Sequence, residues 1–230
     1  MRRLILFDID GTLLTTGRAA KQAFLDAMLE VYGTTGPIQR VHFSGKTDPQ
    51  IARELLSGAG LPEEEIQAGL PALWEGYLVN LEREIASTPI TVFPGVVPLL
   101  DRIEEMNGRA TLGLLTGNLE GGARLKLDTA GIGFHRFAVG AYGSDHAERP
   151  SLPAIAVQRA EERFGHRFTE KSIVIIGDTP ADISCGESLG VRTVAVATGT
   201  FTAEQLAPCG PDYLFPSLAD TEAVWRAIFD

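Results

Sequence analysis

The chain is short of most residues that would let it use anything other than a packed hydrophobic core. Its 230 residues include only two cysteines, Cys185 and Cys209. At most one disulfide is available, and no CxxC pair or Cys/His cluster offers zinc-site spacing. A reduced, cytoplasmic setting is expected. Positive charge is scarce too: 20 Lys and Arg stand against 30 Asp and Glu, a net charge of −10. With a pI near 4.9 the chain repels a phosphate backbone on average, so no nucleic-acid partner is expected. No apolar run approaches the ~20 residues of a membrane helix, so no membrane partner is expected either. The opening MRRLILFDID sets two arginines before an apolar run, but residues 4–7 fall short of the roughly 7–15 apolar residues of a secretory signal. There is no internal repeat. What is present is ordinary globular composition, 44% hydrophobic and 22% charged. A chain of this size should bury roughly 70% or more of its unfolded surface, in one large domain or two small ones.

Hydrophobic period divides the chain. Residues 4–7 form a short apolar run closed by Asp8 and followed by Gly11, the pattern of a buried strand entering a loop. The period then becomes helical. Ala20, Phe24, Ala27, Met28 and Val31 recur before Gly33. Asp48 is the expected N-cap of a helix with Pro49 at its first position. A third helix starts with the acidic turn Glu63, Glu64 and Glu65 and carries Ile66, Leu70, Leu73, Tyr77, Leu81 and Ile85, with a break or kink expected at Pro71. From residue 99 onward, helical segments alternate with apolar strands at 110–115, 137–139, 172–176, 193–197 and 213–215. Helices are expected at 99–106, 119–130, 150–164, 181–189, 203–206 and 218–228. Such strands indicate a parallel sheet covered on both faces. The expected fold is therefore α/β: a Rossmann-like parallel-sheet core, residues 1–15 and 88–230, interrupted after its first strand by an all-helical cap, residues 16–87.

Three of the strands end in polar residues of one kind. LILF runs into Asp8-Ile9-Asp10, LGLL into Thr116-Gly117-Asn118, and IVII into Gly177-Asp178-Thr179. The carboxyl ends of strands form the ligand crevice of an open parallel sheet, so Asp8, Asp10, Thr116 and Asp178 are expected in one crevice. Three neighbouring carboxylates raise one another's pKa, and a hard divalent cation relieves the repulsion. Mg²⁺ suits one or two carboxylates plus water and substrate phosphate.

DIDGT at residues 8–12, LLTGN around Thr116 and GDTPADI at residues 177–183 resemble, in order, motifs one, two and four of the haloacid dehalogenase superfamily of phosphotransferases. The position of the helical insert is similar to the cap of its phosphoglycolate phosphatase-like branch. Where many relatives have Lys followed by Pro as motif three, this chain has ERPSLP, which makes Arg149 the candidate. The resemblance implies that Asp8 attacks phosphorus to form an aspartyl phosphate. Asp10 would protonate the leaving oxygen and later activate water. The metal would be held by the Asp8 carboxylate, the Asp10 backbone carbonyl and Asp178, with Asp182 nearby outside the direct ligands. Thr116, the backbone of Gly117 and Asn118, and Arg149 would bind the transferring phosphoryl group.

Blander roles compete with these. An Asp-x-Asp pair can open a turn, Thr116 can cap the following helix, Asp182 can be a solvated first-turn acid, and Arg149 an exposed loop cation. Lys46, in the loop HFSGKTD of the insert, is a candidate grip on an anionic substrate from the cap side, or else a solvated lysine. His42, His135, His146 and His166 show no ligand spacing. The expected activity is Mg²⁺-dependent hydrolysis of a small phosphate monoester, of phosphoglycolate or sugar phosphate type, with a small phosphorylated metabolite as partner. The alternatives are a phosphomutase of the same superfamily and a non-catalytic metal- or phosphate-binding regulator. Dehalogenation is disfavoured because relatives with that activity lack the carboxylate that Asp10 supplies. The sequence leaves oligomeric state open.

Overall fold

A computed structural model describes residues 2–106 and 108–230. Strands β1 (Arg3–Phe7), β4 (Ala110–Leu115), β5 (Val139–Ala141), β6 (Ile173–Gly177), β7 (Arg192–Val196) and β8 (Tyr213–Phe215) form one sheet in the order β5-β4-β1-β6-β7-β8, every pair parallel. The alternation of a strand explains the two faces. Ile5 and Phe7 of β1 join an apolar cluster with α4 (Val96–Glu104), α5 (Glu120–Thr129) and α9 (Thr221–Phe229). Leu4 and Leu6 point to the other face, against α6 (Leu152–Phe164). Helices α7 (Pro180–Ser184) and α8 (Ala203–Leu206) complete the core, with Ile183 and Leu206 packed together against Ala195 of β7.

The insert leaves and re-enters through a short antiparallel ribbon, β2 (Leu14–Thr15) against β3 (Thr91–Val92). Between these strands lie α1 (Ala19–Tyr32), α2 (Asp48–Gly58) and α3 (Glu63–Ser87), an all-helical cap with its own apolar cluster. Phe24 meets Tyr77 edge to face at 5.3 Å inside it.

Several local expectations need correction. Helix α3 runs through Pro71 as one element, without a break. Pro71 and Gln67, whose carbonyl loses its helical donor, are both exposed, so the freed carbonyl is not left in the core. Helix α2 is capped by the Thr47 hydroxyl, which accepts from the Gln50 N–H at 3.2 Å, and Asp48 sits one place inside the helix. The strand expected at 137–139 begins two residues later, because Val139 is the residue that pairs with Gly113 of β4. The helix expected at 181–189 stops at Ser184, and residues 187–189 form a separate turn after Gly186.

Register places the site. Phe7 is level with Leu114 on one side and Ile176 on the other. The residues just beyond, Asp8, Thr116 and Asp178, therefore emerge along one sheet edge.

Candidate active site

Two clusters lie side by side at that edge. In the first, carboxylate oxygens of Asp8, Asp178 and Asp182 all lie within 4.8 Å of one another, and all three residues are buried. Asp178 is held in place by the Thr12 hydroxyl, which donates at 2.9 Å. The backbone of Gly11 comes so close that a Cβ there would sit 2.3 Å from Asp178 Oδ2, and its φ of +90° is a conformation few L residues adopt. Asp182, in the first turn of α7, accepts from the Thr179 N–H at 3.0 Å and the Thr179 hydroxyl at 2.7 Å. A solvated first-turn acid does not describe it.

Arg149 is the only Lys, Arg or His among the described residues that forms an ion pair within this cluster. At 4% exposure it is no loop cation. One guanidinium nitrogen bridges Asp182 and Asp8, the latter at 3.2 Å. Its Nε finds no acceptor among the described residues. Burial works to lower the Arg149 pKa, but Asp182 and Asp8 raise it further, so the cation is secure. The carboxylates are less comfortable. Burial pushes Asp8 up to about 6, with Asp182 and Asp10 adding to the rise and Arg149 opposing it. Asp178 is raised well above the ordinary carboxylate range by burial, Asp182 and Asp8. Three buried carboxylates against one guanidinium, with oxygen donors throughout, fit a hard divalent cation.

The second cluster surrounds Asp10. Its Oδ2 accepts from Lys126 Nζ at 2.6 Å and from Asn118 Nδ2 at 2.7 Å. Lys126 also donates to Asn118 Oδ1 at 2.6 Å, and Asn118 Nδ2 reaches the Thr116 hydroxyl at 2.8 Å. Thr116 therefore does not cap α5. That helix begins with the Leu119 N–H on Asp48 Oδ2 at 2.8 Å, a bond from cap to core. The Asp48 N–H returns a bond to the Gly117 carbonyl at 2.8 Å. Gly117 permits this approach: a Cβ there would lie 2.1 Å from the Lys46 carbonyl oxygen.

A cavity of about 620 Å³ joins the clusters. Its core wall includes Asp8, Asp10, Thr116, Gly117, Asn118, Lys126, Arg149 and Asp178, and its cap wall includes Lys21, Phe24, Phe43, Lys46 and Tyr77. Asp182 lies behind this wall. Lys46 reaches the cavity, but its ammonium pairs with Glu54 of α2. Sequence reasoning missed Lys126, although a signal was present. Gly122, Ala123, Lys126 and Leu127 make the buried stripe of α5, so a lysine stands on the inward face of a helix.

The family model of haloacid dehalogenase-like hydrolases matches residues 5–196, and the chain belongs to that family. It is 27% identical to phosphoglycolate phosphatase 1 of Pseudomonas aeruginosa over 95% of this chain and 78% of that protein. It is 26% identical to pyrophosphatase PpaX of Bacillus velezensis over 94% of this chain and 93% of that one. The crystal structure of a hydrolase from Pseudomonas syringae superposes over the full length of both chains with a TM-score of 0.74 at 19% identity, a likeness of fold.

Proposed function

We propose that the chain is a Mg²⁺-dependent phosphatase that hydrolyses a small phosphate monoester through an aspartyl phosphate on Asp8. The observation that carries this reading is the buried group Asp8, Asp178 and Asp182 with Arg149 across it, and Asp10 two residues from Asp8 in the same cavity. The family, and the phosphatase names of relatives at 26–27% identity, support it.

Asp8, Asp178 and the Asp10 backbone carbonyl would hold the cation, with Asp182 holding Arg149 in place. Bound there, Mg²⁺ supplies positive charge that keeps the Asp8 carboxylate ionised and offsets charge on the phosphoryl oxygens. An Asp8 oxygen attacks phosphorus as the ester P–O bond breaks, and the leaving oxygen takes a proton from Asp10. Asp10, now a carboxylate, takes a proton from water as the water oxygen attacks phosphorus. The acyl-phosphate bond breaks, inorganic phosphate departs and the Asp8 carboxylate is restored. The Thr116 hydroxyl, the backbone N–H groups of Gly117 and Asn118, and Arg149 bind the phosphoryl oxygens. The cap closes over the reacting groups and excludes bulk water.

The test is a phosphate-release screen over glycolate, sugar and nucleotide phosphates, with Mg²⁺ and with chelator. Mg²⁺-dependent release from at least one small monoester is expected. No release from any of them overturns the reading, and a positional isomer formed without release would make the chain a mutase.

A further inference from the structure

The lysine under the cap does something that the phosphate-transfer scheme leaves unassigned. Lys126 is 2% exposed. A lysine this buried is rare and costly unless its charge and its N–H groups are satisfied. Its ammonium spends two donors on Asp10 Oδ2 and Asn118 Oδ1, both at 2.6 Å. Asn118 closes a triangle by donating to the same Asp10 oxygen at 2.7 Å. The ammonium can only donate, so it fixes the Asn118 amide with Oδ1 toward Lys126 and Nδ2 toward Asp10 and the Thr116 hydroxyl. All the hydrogen bonds to the Asp10 carboxylate thus fall on Oδ2, and none reaches Oδ1 among the described residues. The Asp10 side chain keeps 40% of its surface exposed.

From this geometry we infer that Lys126 is a positioning residue for Asp10. The triangle anchors Oδ2 in the core and leaves Oδ1 as the oxygen that meets the leaving group. A free aspartate side chain at a strand end samples several rotamers, and an acid out of line by an ångström delivers its proton poorly. Lys126 removes that freedom from beneath, without itself touching the reacting atoms. The inference rests on Asp10 acting as the acid in the proposed reaction.

The experiment compares the parent with Lys126→Met and Lys126→Arg on two substrates, an alkyl phosphate and p-nitrophenyl phosphate. Only the alkoxide leaving group needs a proton placed on it, so a mispositioned acid separates the two. Expected for Lys126→Met is a kcat lower by about tenfold to a hundredfold on the alkyl ester. On the aryl ester kcat should stay within about threefold of the parent and KM within about twofold. Lys126→Arg, which keeps charge and donors, should recover part of the alkyl activity. In an Asp10→Asn background the Lys126 substitution should cost nothing further, since two residues acting as one unit are not additive. Equal losses on both substrates, a rise in KM with kcat unchanged, or full additivity with Asp10→Asn would each overturn the inference. Circular dichroism checks folding, and Lys126→Gln replaces the Met variant if that one does not fold. Asp8→Asn runs beside these variants: if it retains turnover, the phosphatase mechanism itself fails, whereas loss there with parental leaving-group dependence in the Lys126 variants rejects only this inference.

Discussion

The two halves of the cavity wall handle charge in opposite ways. Around Asp8 the protein buries three carboxylates and provides one guanidinium, and burial leaves Asp8 and Asp178 with raised pKa values. Around Asp10 it provides a buried lysine that donates to Asp10 and Asn118, while Asn118 donates to the same Asp10 oxygen. A group of like charges that the fold itself does not neutralise is a place prepared for something from outside, in this reading a cation and a phosphoryl group. A self-satisfied triangle is prepared to hold one side chain still. The difference separates binding a charge from aiming one.

The sharpest way to break this contrast is Asp8→Asn. Turnover should fall by about three orders of magnitude or more, since the amide keeps the size and loses the nucleophile. The melting temperature of the metal-free protein should nevertheless rise, because one of three crowded carboxylates is gone. Lys126→Met should do the reverse to stability and leave the Asp10 carboxylate without its cation. If Asp8→Asn lowers the melting temperature, measured by calorimetry in chelator, the first cluster is not short of positive charge.

Arg149→Ala comes next. It removes the one cation bridging Asp8 and Asp182, and kcat should fall by about 10² to 10³, the scale of one preorganised donor. Arg149→Lys should retain measurable activity, because a point charge serves a phosphoryl oxygen even without the bidentate geometry. Turnover of the alanine variant within a factor of about two of the parent, under ~0.5 kcal/mol, would remove Arg149 from the phosphate site. A smaller effect is expected on Asp178→Ala, which should raise the Mg²⁺ concentration for half-maximal rate while the protein stays folded. An unchanged Mg²⁺ dependence would mean that other residues hold the metal.

What could be read in advance follows the range of the physics involved. The α/β core and the helical insert were legible, because a buried strand and an amphipathic helix write their period along a few consecutive residues. The convergence of Asp8, Thr116 and Asp178 followed from strand ends alone. Arg149 was legible as a residue but not as a buried bridge, since its partners lie 33 positions away at Asp182 and just past the end of β1 at Asp8. Lys126 announces itself only as a charge on an apolar stripe, and its partner Asp10 lies 116 positions away. The cap start shows the limit most clearly. Asp48 before Pro49 satisfies every local rule for an N-cap, yet Thr47 takes that role. Asp48 is drawn instead to the Leu119 N–H, a partner that no local pattern names.

Asp48 also yields the smallest and most specific expectation. Enclosure between cap and core pushes its pKa up to about 6, with Lys126 and the Leu119 N–H opposing the rise and Asp10 adding to it. The folded-state pKa lies above the ordinary 3.8, so the folded protein binds the proton more tightly than the unfolded chain does. The associated stability is fully present below about pH 4 and is lost as pH rises through about 6. Asp48→Asn keeps an oxygen for the Leu119 N–H but never ionises, and so should flatten this part of the stability profile. Parent and variant should melt together near pH 4, and the variant should melt a few degrees higher at pH 7.5, at most about 3 kcal/mol for a shift of this size. The measurement is the difference in melting temperature across that range, in chelator, so that Asp8 and Asp178 contribute alike to both proteins. A variant less stable than the parent at pH 7.5 would show that the Asp48 charge is held favourably by Lys126. The cap would then be joined to the core by an ion pair, and the second cluster would extend across the cavity to include it.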